Sequence, residues 1–528
     1  MSQMLKSSGA MAAATLTSRL LGMVREMVYA RFMGTSWVAS AFVLAFQVPN
    51  LFRRLLGEGA LTAAFIPVFK EKEKREGDAA MWHAANAVLS GLLVFATLIV
   101  VVGFVVLTAV LLFGTQVHDG HTRFTAKALL MLQLLRVMLP YLLLVCLAAV
   151  FMGMLNARGH FFIPAMGATT LNLVMIASVF WLAPRLGTEL HEQVFALAIG
   201  VVLAGVVQAW FQLPSLSREG FRYRWVTPWR DETVRRVIKQ MLPATIGVAA
   251  FQINVVLVNL FAYFADDYVV ASFQVAVRLM ELPQGLFGVS MATYLLPALS
   301  GLAAEKKYPE FRRELSQGVS YLVFVNLLAS VLLLVLAEPI MRLLFERGKF
   351  DATSTSQAAL ALACLAPGLA LFSTVNVLAR AFYALGDTRT PMRVGVFCLA
   401  LNLLLSCALV WRYKQGGLGI ANSCTSALNA GLLLYALRRK LTTLDLQPLR
   451  KSLPPLLLAT ALAGALAWWG WREWERTLGH GNLLLKLGAV FAPAAAAALV
   501  YWLVALGLRV PAAREMSAPL LSRWKRSR

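Results

Sequence analysis

Charge is scarce in this chain. Only 14% of its 528 residues are charged, against 59% hydrophobic, and the mean hydropathy is +0.69. A soluble protein of this size carries nearer 25% charge to cover its surface, so a soluble globular fold is excluded. Cysteine is also rare. The five are Cys146, Cys364, Cys398, Cys407 and Cys424, all in apolar stretches. An odd number without CxxC spacing argues against a disulfide framework or a zinc site; these residues read as small packing groups. No DxD-like motif, metal-ligand cluster or nucleophile constellation is present, which speaks against a membrane enzyme such as a glycosyltransferase. The N-terminal stretch lacks a short apolar run followed by a small-residue cleavage site, so no cleavable signal is expected. Acids are the scarcer charge, 26 against 49 bases, for a net +23.

What remains is long apolar runs, among them 88–113, 129–155, 319–336 and 483–508. Each can cross a hydrocarbon core of about 30 Å as a helix. Their Leu, Ala, Val and Gly content suits helices rather than the alternating segments of an outer-membrane barrel. The expected fold is an all-α polytopic membrane protein. About 14 spans are predicted by hydropathy, centred near Ser18, Ala45, Val100, Leu143, Met175, Gly200, Asn254, Phe287, Leu328, Ala370, Leu401, Ala427, Gly464 and Ala496.

Lysine and arginine set the expected orientation. With the N-terminus in the cytoplasm, the even-numbered connections hold about 33 basic residues and the odd ones about 10. The richest inside segments are 53–75, 218–239, 306–313 and 438–451, plus the tail after Arg509, whereas the connection after span seven holds Asp266 and Asp267 and no base. Both termini are therefore expected to be cytoplasmic. The net charge then reflects topology and lipid headgroups, and no nucleic-acid partner is implied.

The chain repeats itself. Pro140, Gly159 and Pro164 map onto Pro367, Gly386 and Pro391 at a constant offset of 227 residues, and Asn172 and Asn402 sit mid-span in the following segments. A weaker echo links Pro49–Lys74 with Pro283–Lys307. These pair span four with ten and span two with eight. A shift of six spans preserves orientation, so the expected relation is a parallel pseudo-two-fold along the membrane normal. The predicted division is a first six-helix lobe (1–217), a second (218–440), and spans thirteen and fourteen with a basic tail (441–528).

Ionisable residues inside spans are costly, roughly 2.5–3.5 kcal/mol each on the insertion scale, so the exceptions carry information. Once the loops are counted, the basic ones are Arg19, Arg25, Arg31, Arg136, Arg278 and Lys486. Lys486 lies near enough to a span end to snorkel. In span one Thr15, Ser18, Arg19, Gly22, Arg25, Glu26 and Tyr29 recur at steps of three and four, forming one polar stripe that should face water or protein. An amphipathic helix lying on the membrane surface is the alternative. Span eight carries Gln274, Arg278, Glu281, Gly285 and Gly288, where Arg278 and Glu281 could simply neutralise each other at i,i+3. Span two ends in Asn50, Arg53, Arg54, Gly57 and Glu58, with an interfacial anchor as the bland explanation of the arginines. The candidate cavity thus sets Arg19, Arg25, Arg53, Arg54 and Arg278 against Glu26, Glu58 and Glu281. Arginine binds phosphate bidentately and stays charged when partly buried. An anionic, phosphate-bearing substrate fits that sign, and a cationic drug does not.

These segments resemble a known family. Residues 18–26 (SRLLGMVRE), 46–54 (FQVPNLFRR) with 58–60 and 64–67, 278–283 (RLMELP) with Gly285 and Gly288, and 345–350 (FERGKF) are similar to motifs of the MurJ/MviN lipid II flippase family of the MOP-exporter superfamily. The resemblance spans the whole chain. It implies two six-helix lobes plus a final helix pair in the bacterial inner membrane. It implies alternating-access export of undecaprenyl-diphosphate-linked disaccharide-pentapeptide, the peptidoglycan precursor, to the outer leaflet. It makes Arg19, Arg25, Arg53 and Arg278 the essential cavity cations, with Glu26 and Glu58 at acidic family positions, and gives spans thirteen and fourteen a groove for the polyprenyl tail. Cell-wall synthesis proteins and membrane lipids are the implied partners, and no cofactor is implied beyond a coupling cation, Na⁺ or H⁺, or the membrane potential. Some relatives bind sodium in the second lobe; the equivalents here are Asn254, Asn402, Ser406 and Thr425, all neutral. Some carry aspartate where this chain has Ser40 and Val277, which makes this cavity more cationic. A multidrug–cation antiporter or a polysaccharide-repeat flippase of the same superfamily is the alternative function.

Overall fold

A computed structural model describes residues 2–57, 60–118, 121–122, 124–160, 162–441 and 447–517. The described chain is helical almost throughout; one two-stranded ladder pairs Val117–His118 with His121–Thr122. Among the described residues nine helices are long and apolar enough to cross a membrane, and eleven when each of two bent pairs counts as one span. Helix Trp37–Phe52, at 16 residues, is too short for that test, and helix Ser2–Met33 is not among those that pass it. Helix Arg389–Lys440 is two helical halves meeting at Lys414, whose backbone is non-helical (φ 50°, ψ −131°). The fold is thus a polytopic helical membrane protein, and the expected fourteen spans are consistent with it.

The chain forms two compact units, 1–263 and 264–528. Each contains its own copy of the features that the sequence repeat marks. In the first unit, helices Ala126–Met138 and Tyr141–Ala157 meet at 43° beside Pro140; in the second, Ala352–Leu365 and Gly368–Ala384 meet at 46° beside Pro367. Proline lacks the N–H that would continue the ladder, so it bends a helix. Both bent spans then end the same way. Gly159 (φ 87°) and Gly386 (φ 72°) take the left-handed conformation. The next amide donates back to the last turn, His160 N to Leu155 O at 2.9 Å and Asp387 N to Phe382 O at 2.9 Å. That is the glycine-terminated helix end in which a residue with a Cβ would be strained.

The weaker echo has a structural counterpart too. Helix Trp37–Phe52, with Pro49 inside it, runs into a π-helical turn at Arg53–Gly57. Helix Val269–Pro283 runs into another at Gln284–Val289. A proline near a helix end displaces the hydrogen-bond register, and a widened turn absorbs it.

The cytoplasm-expected corner of each unit is tied by charge. Arg158 bonds Glu73 (2.5 Å) and Glu219 (2.9 Å), and His160 bonds Glu219 (2.8 Å). In the second unit Lys440 bonds Asp387 at 2.6 Å, and the Thr390 amide adds a bond at 3.0 Å. The Lys440 contact, then the Thr390 amide, hold the Asp387 carboxyl down to about 2. A depressed carboxyl stabilises the fold above its ordinary range near 4 and loses that contribution only as pH falls toward 2. Asp387→Asn is therefore expected to lower stability by about 0.2–1 kcal/mol, the range of exposed pairs, equally at pH 5 and pH 8. Thermal unfolding of purified protein at both values checks this; a deficit appearing at one pH only would contradict it.

In the second unit the last two long helices, Gln447–Thr477 and Leu483–Gly507, pack on each other and on helix Tyr308–Val335. Ala459, Ala463 and Ala467 are fully buried there, around Phe324 and Tyr501. A Cβ on Gly464 would stand 2.7 Å from Val331, so the small-residue run is what permits the close approach. All five cysteines are free; Cys146 and Cys398 are buried, and Cys424 is exposed.

Candidate functional site

Part of the polar stripe of the first helix, Ser18, Gly22 and Arg25, is turned toward protein within the first unit. Helix Ser2–Met33 packs along helix Phe162–Ala177, and the join is made by Asn172. Its side-chain amide donates to Ser18 O at 3.1 Å, and its carbonyl oxygen accepts from Arg25 Nη1 at 3.0 Å. Gly22 lies between these two positions, and a Cβ there would stand 3.7 Å from the Asn172 amide nitrogen. Ser18, Gly22 and Arg25 thus share one face because the steps of four and three between them bring them there.

Arg25 is held from several sides. Its side chain is 15% exposed; Nη2 donates to Glu26 Oε1 at 2.5 Å, and the guanidinium carbon lies 5.5 Å from the centre of the Tyr29 ring. Behind it runs an aromatic series, Tyr29 to Phe42 (5.9 Å), Phe42 to Phe46 (6.0 Å) and Phe46 to Tyr141 (6.4 Å). A guanidinium has five N–H donors. Asn172 and Glu26 take two, and Nε makes no hydrogen bond among the described residues. The guanidinium is held in one orientation by Asn172 and Glu26, while its Nε is buried.

Other sequence candidates are placed as follows. Arg19 is exposed, and among the described residues it has no hydrogen-bond or ion-pair partner. Arg53 and Arg54 are half-buried in the π-helical turn, where Arg53 Nε donates to Asn50 Oδ1 at 2.9 Å. Glu58 lies outside the described residues. In the second unit Arg278 pairs with Glu281 at 3.0 Å, the local i,i+3 contact. On the same span, Gly288 seats against Ser373, whose Oγ a Cβ would meet at 2.8 Å. Asn402 donates to Thr425 Oγ1 at 3.2 Å, and Ser406, one turn on, is buried. Asn254 belongs to the first unit. Arg136 stacks over Phe104 at 5.7 Å, and Lys486 lies 3.5 Å from Glu346. Ser40 is fully buried.

Two participants escaped the sequence reading. Asn172 was visible as a mid-span asparagine in both repeats, but its bond to Arg25 was not. The second is Arg342, 13% exposed and bound to Glu338, Glu346 and Glu475.

The comparisons with known proteins decide the family. The lipid II flippase MurJ family model matches residues 29–488. This chain belongs to the lipid II flippase MurJ family. A probable lipid II flippase MurJ of Vibrio cholerae is 35% identical over 444 residues, covering 82% of this chain and 83% of the relative. Another, from Rhizobium tropici, is 32% identical over 493 residues, covering 93% and 92%. Among solved structures, a lipid II flippase MurJ in an inward closed conformation matches with a TM-score of 0.74 at 22% identity, over 97% of this chain and 99% of that one. An inward-facing multidrug-resistance MATE transporter of the MOP superfamily matches at 0.65 with 15% identity, over 82% and 98%. At such identities both likenesses speak for the fold alone.

In this MurJ-family chain the Asn172 bridge can be tested. Asn172→Ala removes the acceptor for Arg25 and the bond to Ser18, and is expected to reduce flipping about tenfold, the worth of one charge-assisted hydrogen bond. Asn172→Asp keeps the acceptor and should retain more activity. Equal losses in the two variants, tracking equal losses of thermal stability, would make Asn172 a packing residue only.

Proposed function

We propose that this chain moves lipid II, the undecaprenyl-diphosphate-linked disaccharide-pentapeptide, from the inner to the outer leaflet of the bacterial inner membrane. The observation that carries the reading is the family match over 29–488, joined to relatives of 35% and 32% identity along most of their length. The likeness to the MATE transporter does not extend to substrate, and five arginines against three glutamates among the candidate residues disfavour cationic drugs. Leaflet-specific quantification of lipid II after depletion of this protein tests it: precursor should accumulate in the inner leaflet. An unchanged distribution, with growth continuing, overturns the reading.

In this mechanism two lobes, 1–217 and 218–440, rock about a central cationic cavity, with 441–528 appended for the polyprenyl tail. Arg19, Arg25, Arg53, Arg54 and Arg278 hold the diphosphate, and Glu26, Glu58 and Glu281 orient or neutralise them. The headgroup crosses while the tail stays in lipid, so no bond is made or broken and the protein acts as a transporter rather than an enzyme. The driving force is a coupling cation, Na⁺ or H⁺, or the membrane potential; Asn254, Asn402, Ser406 and Thr425 are the candidate sodium ligands. Proteins of cell-wall synthesis are its proposed partners. Both termini lie in the cytoplasm on the basic-loop asymmetry. A cytoplasmic reporter fused after Arg528 is expected to be active and a periplasm-dependent one silent; the reverse pattern would mean an odd span number.

A further inference from the structure

The first unit contains an apolar groove that the flipping mechanism does not use. It has a volume of about 610 Å³, within the roughly 300–1,000 Å³ of ligand sites. One wall is Val94, Phe95 and Leu98 of helix Ala60–Gly114; the other is Ile238, Met241 and Leu242 of helix Glu232–Ala265; Pro228 and Trp229 close one end. Both walls continue into lipid-facing surface, since Phe95, Leu98, Ile238 and Leu242 are each about half exposed or more.

The mouth of the groove is built and basic. Residues 221–227, outside any helix or strand, are pinned along the long helix by side-chain bonds. Asn86 takes both Arg222 O (3.1 Å) and the Arg224 amide (3.2 Å), and Ser90 Oγ accepts from the Val226 amide at 3.3 Å. This fixes Tyr223, Trp225 and Trp229 as exposed aromatics interleaved with arginines. Amphipathic rings of this kind sit at the level of lipid headgroups. Neighbouring charges are accounted for. Arg236 is taken by Glu71 (2.8 Å), and Asp231 faces His83 at 3.8 Å. Glu232 is exposed, as are Arg230, Arg235 and Lys239, and among the described residues these three cations have no hydrogen-bond or ion-pair partner for their side chains. Arg235 itself lines the groove.

An apolar slot open to hydrocarbon, with unpaired cations at its mouth, matches one chemistry: an acyl chain attached to an anionic headgroup. We propose that this groove is a binding site for an anionic glycerophospholipid, with one acyl chain between the two helices and the phosphate on Arg235, Arg230 and Lys239. The segment belongs to the loop set that the basic asymmetry assigns to the cytoplasmic side, where anionic lipids attract such clusters. A neutral lipid could fill the slot but would gain nothing from the cations.

Native mass spectrometry of the full-length protein in detergent tests this. Dioleoyl phosphatidylglycerol and dioleoyl phosphatidylcholine are titrated separately. The expected result is one phosphatidylglycerol retained about tenfold more tightly than phosphatidylcholine. The triple variant Arg230→Gln, Arg235→Gln, Lys239→Gln alters exposed side chains only and should erase that preference. Val94→Trp, which fills the slot, should weaken both lipids. Equal retention of the two lipids by the unaltered protein, or an unchanged preference in the triple variant, overturns the proposal. So does displacement of phosphatidylglycerol by stoichiometric undecaprenyl phosphate, which would make the groove a polyprenyl site. The readout is binding and is independent of whether the protein flips lipid II.

Discussion

Cells whose sole copy carries Arg25→Ala are expected to stop growing, with flipping reduced about 100-fold or more, while the protein still inserts at normal levels. A bidentate contact between a guanidinium and a phosphate supplies two charge-assisted bonds, together about 3 kcal/mol, or about two powers of ten. Alanine forfeits both. It also leaves Glu26 and the Asn172 oxygen without the donor they now share. Arg19→Ala and Arg278→Ala are expected to fail as well, but by different routes. Arg19 has no hydrogen-bond or ion-pair partner among the described residues, so its loss should show in transport with little change in stability. Arg278 gives up an exposed pair with Glu281 that contributes little to folding. Lysine keeps the charge but not the planar fork. At Arg25 it should rescue poorly if the phosphate is held directly, and fully if only the local field matters. Growth of all three alanine variants at normal expression would make the arginines structural and dispose of the cationic-cavity mechanism, without touching the family assignment.

Arg342→Met is expected to cost about 3 kcal/mol of stability, the lower end for breaking a largely buried charge cluster. Three carboxylates surround this guanidinium. Glu338 accepts from it at 2.7 Å, Glu346 lies 3.5 Å away, and Glu475 closes the far side. Removing the arginine leaves Glu338 without its ion pair and Glu346 and Glu475 with only Lys486 (3.5 Å) and His480 (2.8 Å) near them. Glu346 is also fixed by Thr355 at 2.9 Å, which gives the FERGKF segment a physical role. Its glutamate joins the network, its two phenylalanine rings pack tilted at 42° with centres 5.9 Å apart, and Gly348 makes the turn at φ 61°. The measurement is thermal unfolding of the purified protein. Since Glu475 lies in the last turn of the helix Gln447–Thr477, the loss should appear as separation of the last helix pair, seen as early proteolysis near residues 478–482. A melting temperature within error of the unaltered protein would show that the cluster is solvated and weak. Arg342→Lys should recover part of the loss, because an ammonium can satisfy some of these acids but cannot reach all three.

Much was legible in the sequence, and the reason is the membrane. A span must be apolar for about 20 residues and must satisfy its own backbone, so long runs can be read without knowing their neighbours. Repetition is likewise a local fact. Pro140 with Gly159 and Pro367 with Gly386 produced bends of 43° and 46° and the same left-handed helix ends, because proline and glycine act on their own backbone. The polar stripe of the first helix was legible as a face, since 3.6-residue periodicity fixes which residues share one side. Its direction was not. Only the fold brought Asn172 to Arg25 across 147 residues of chain, and only the fold gathered Glu475 onto Arg342 across 133. Periodicity states which side chains travel together but not what they meet. Partners so distant in sequence are chosen by how helices pack, and packing is a property of the whole tertiary structure.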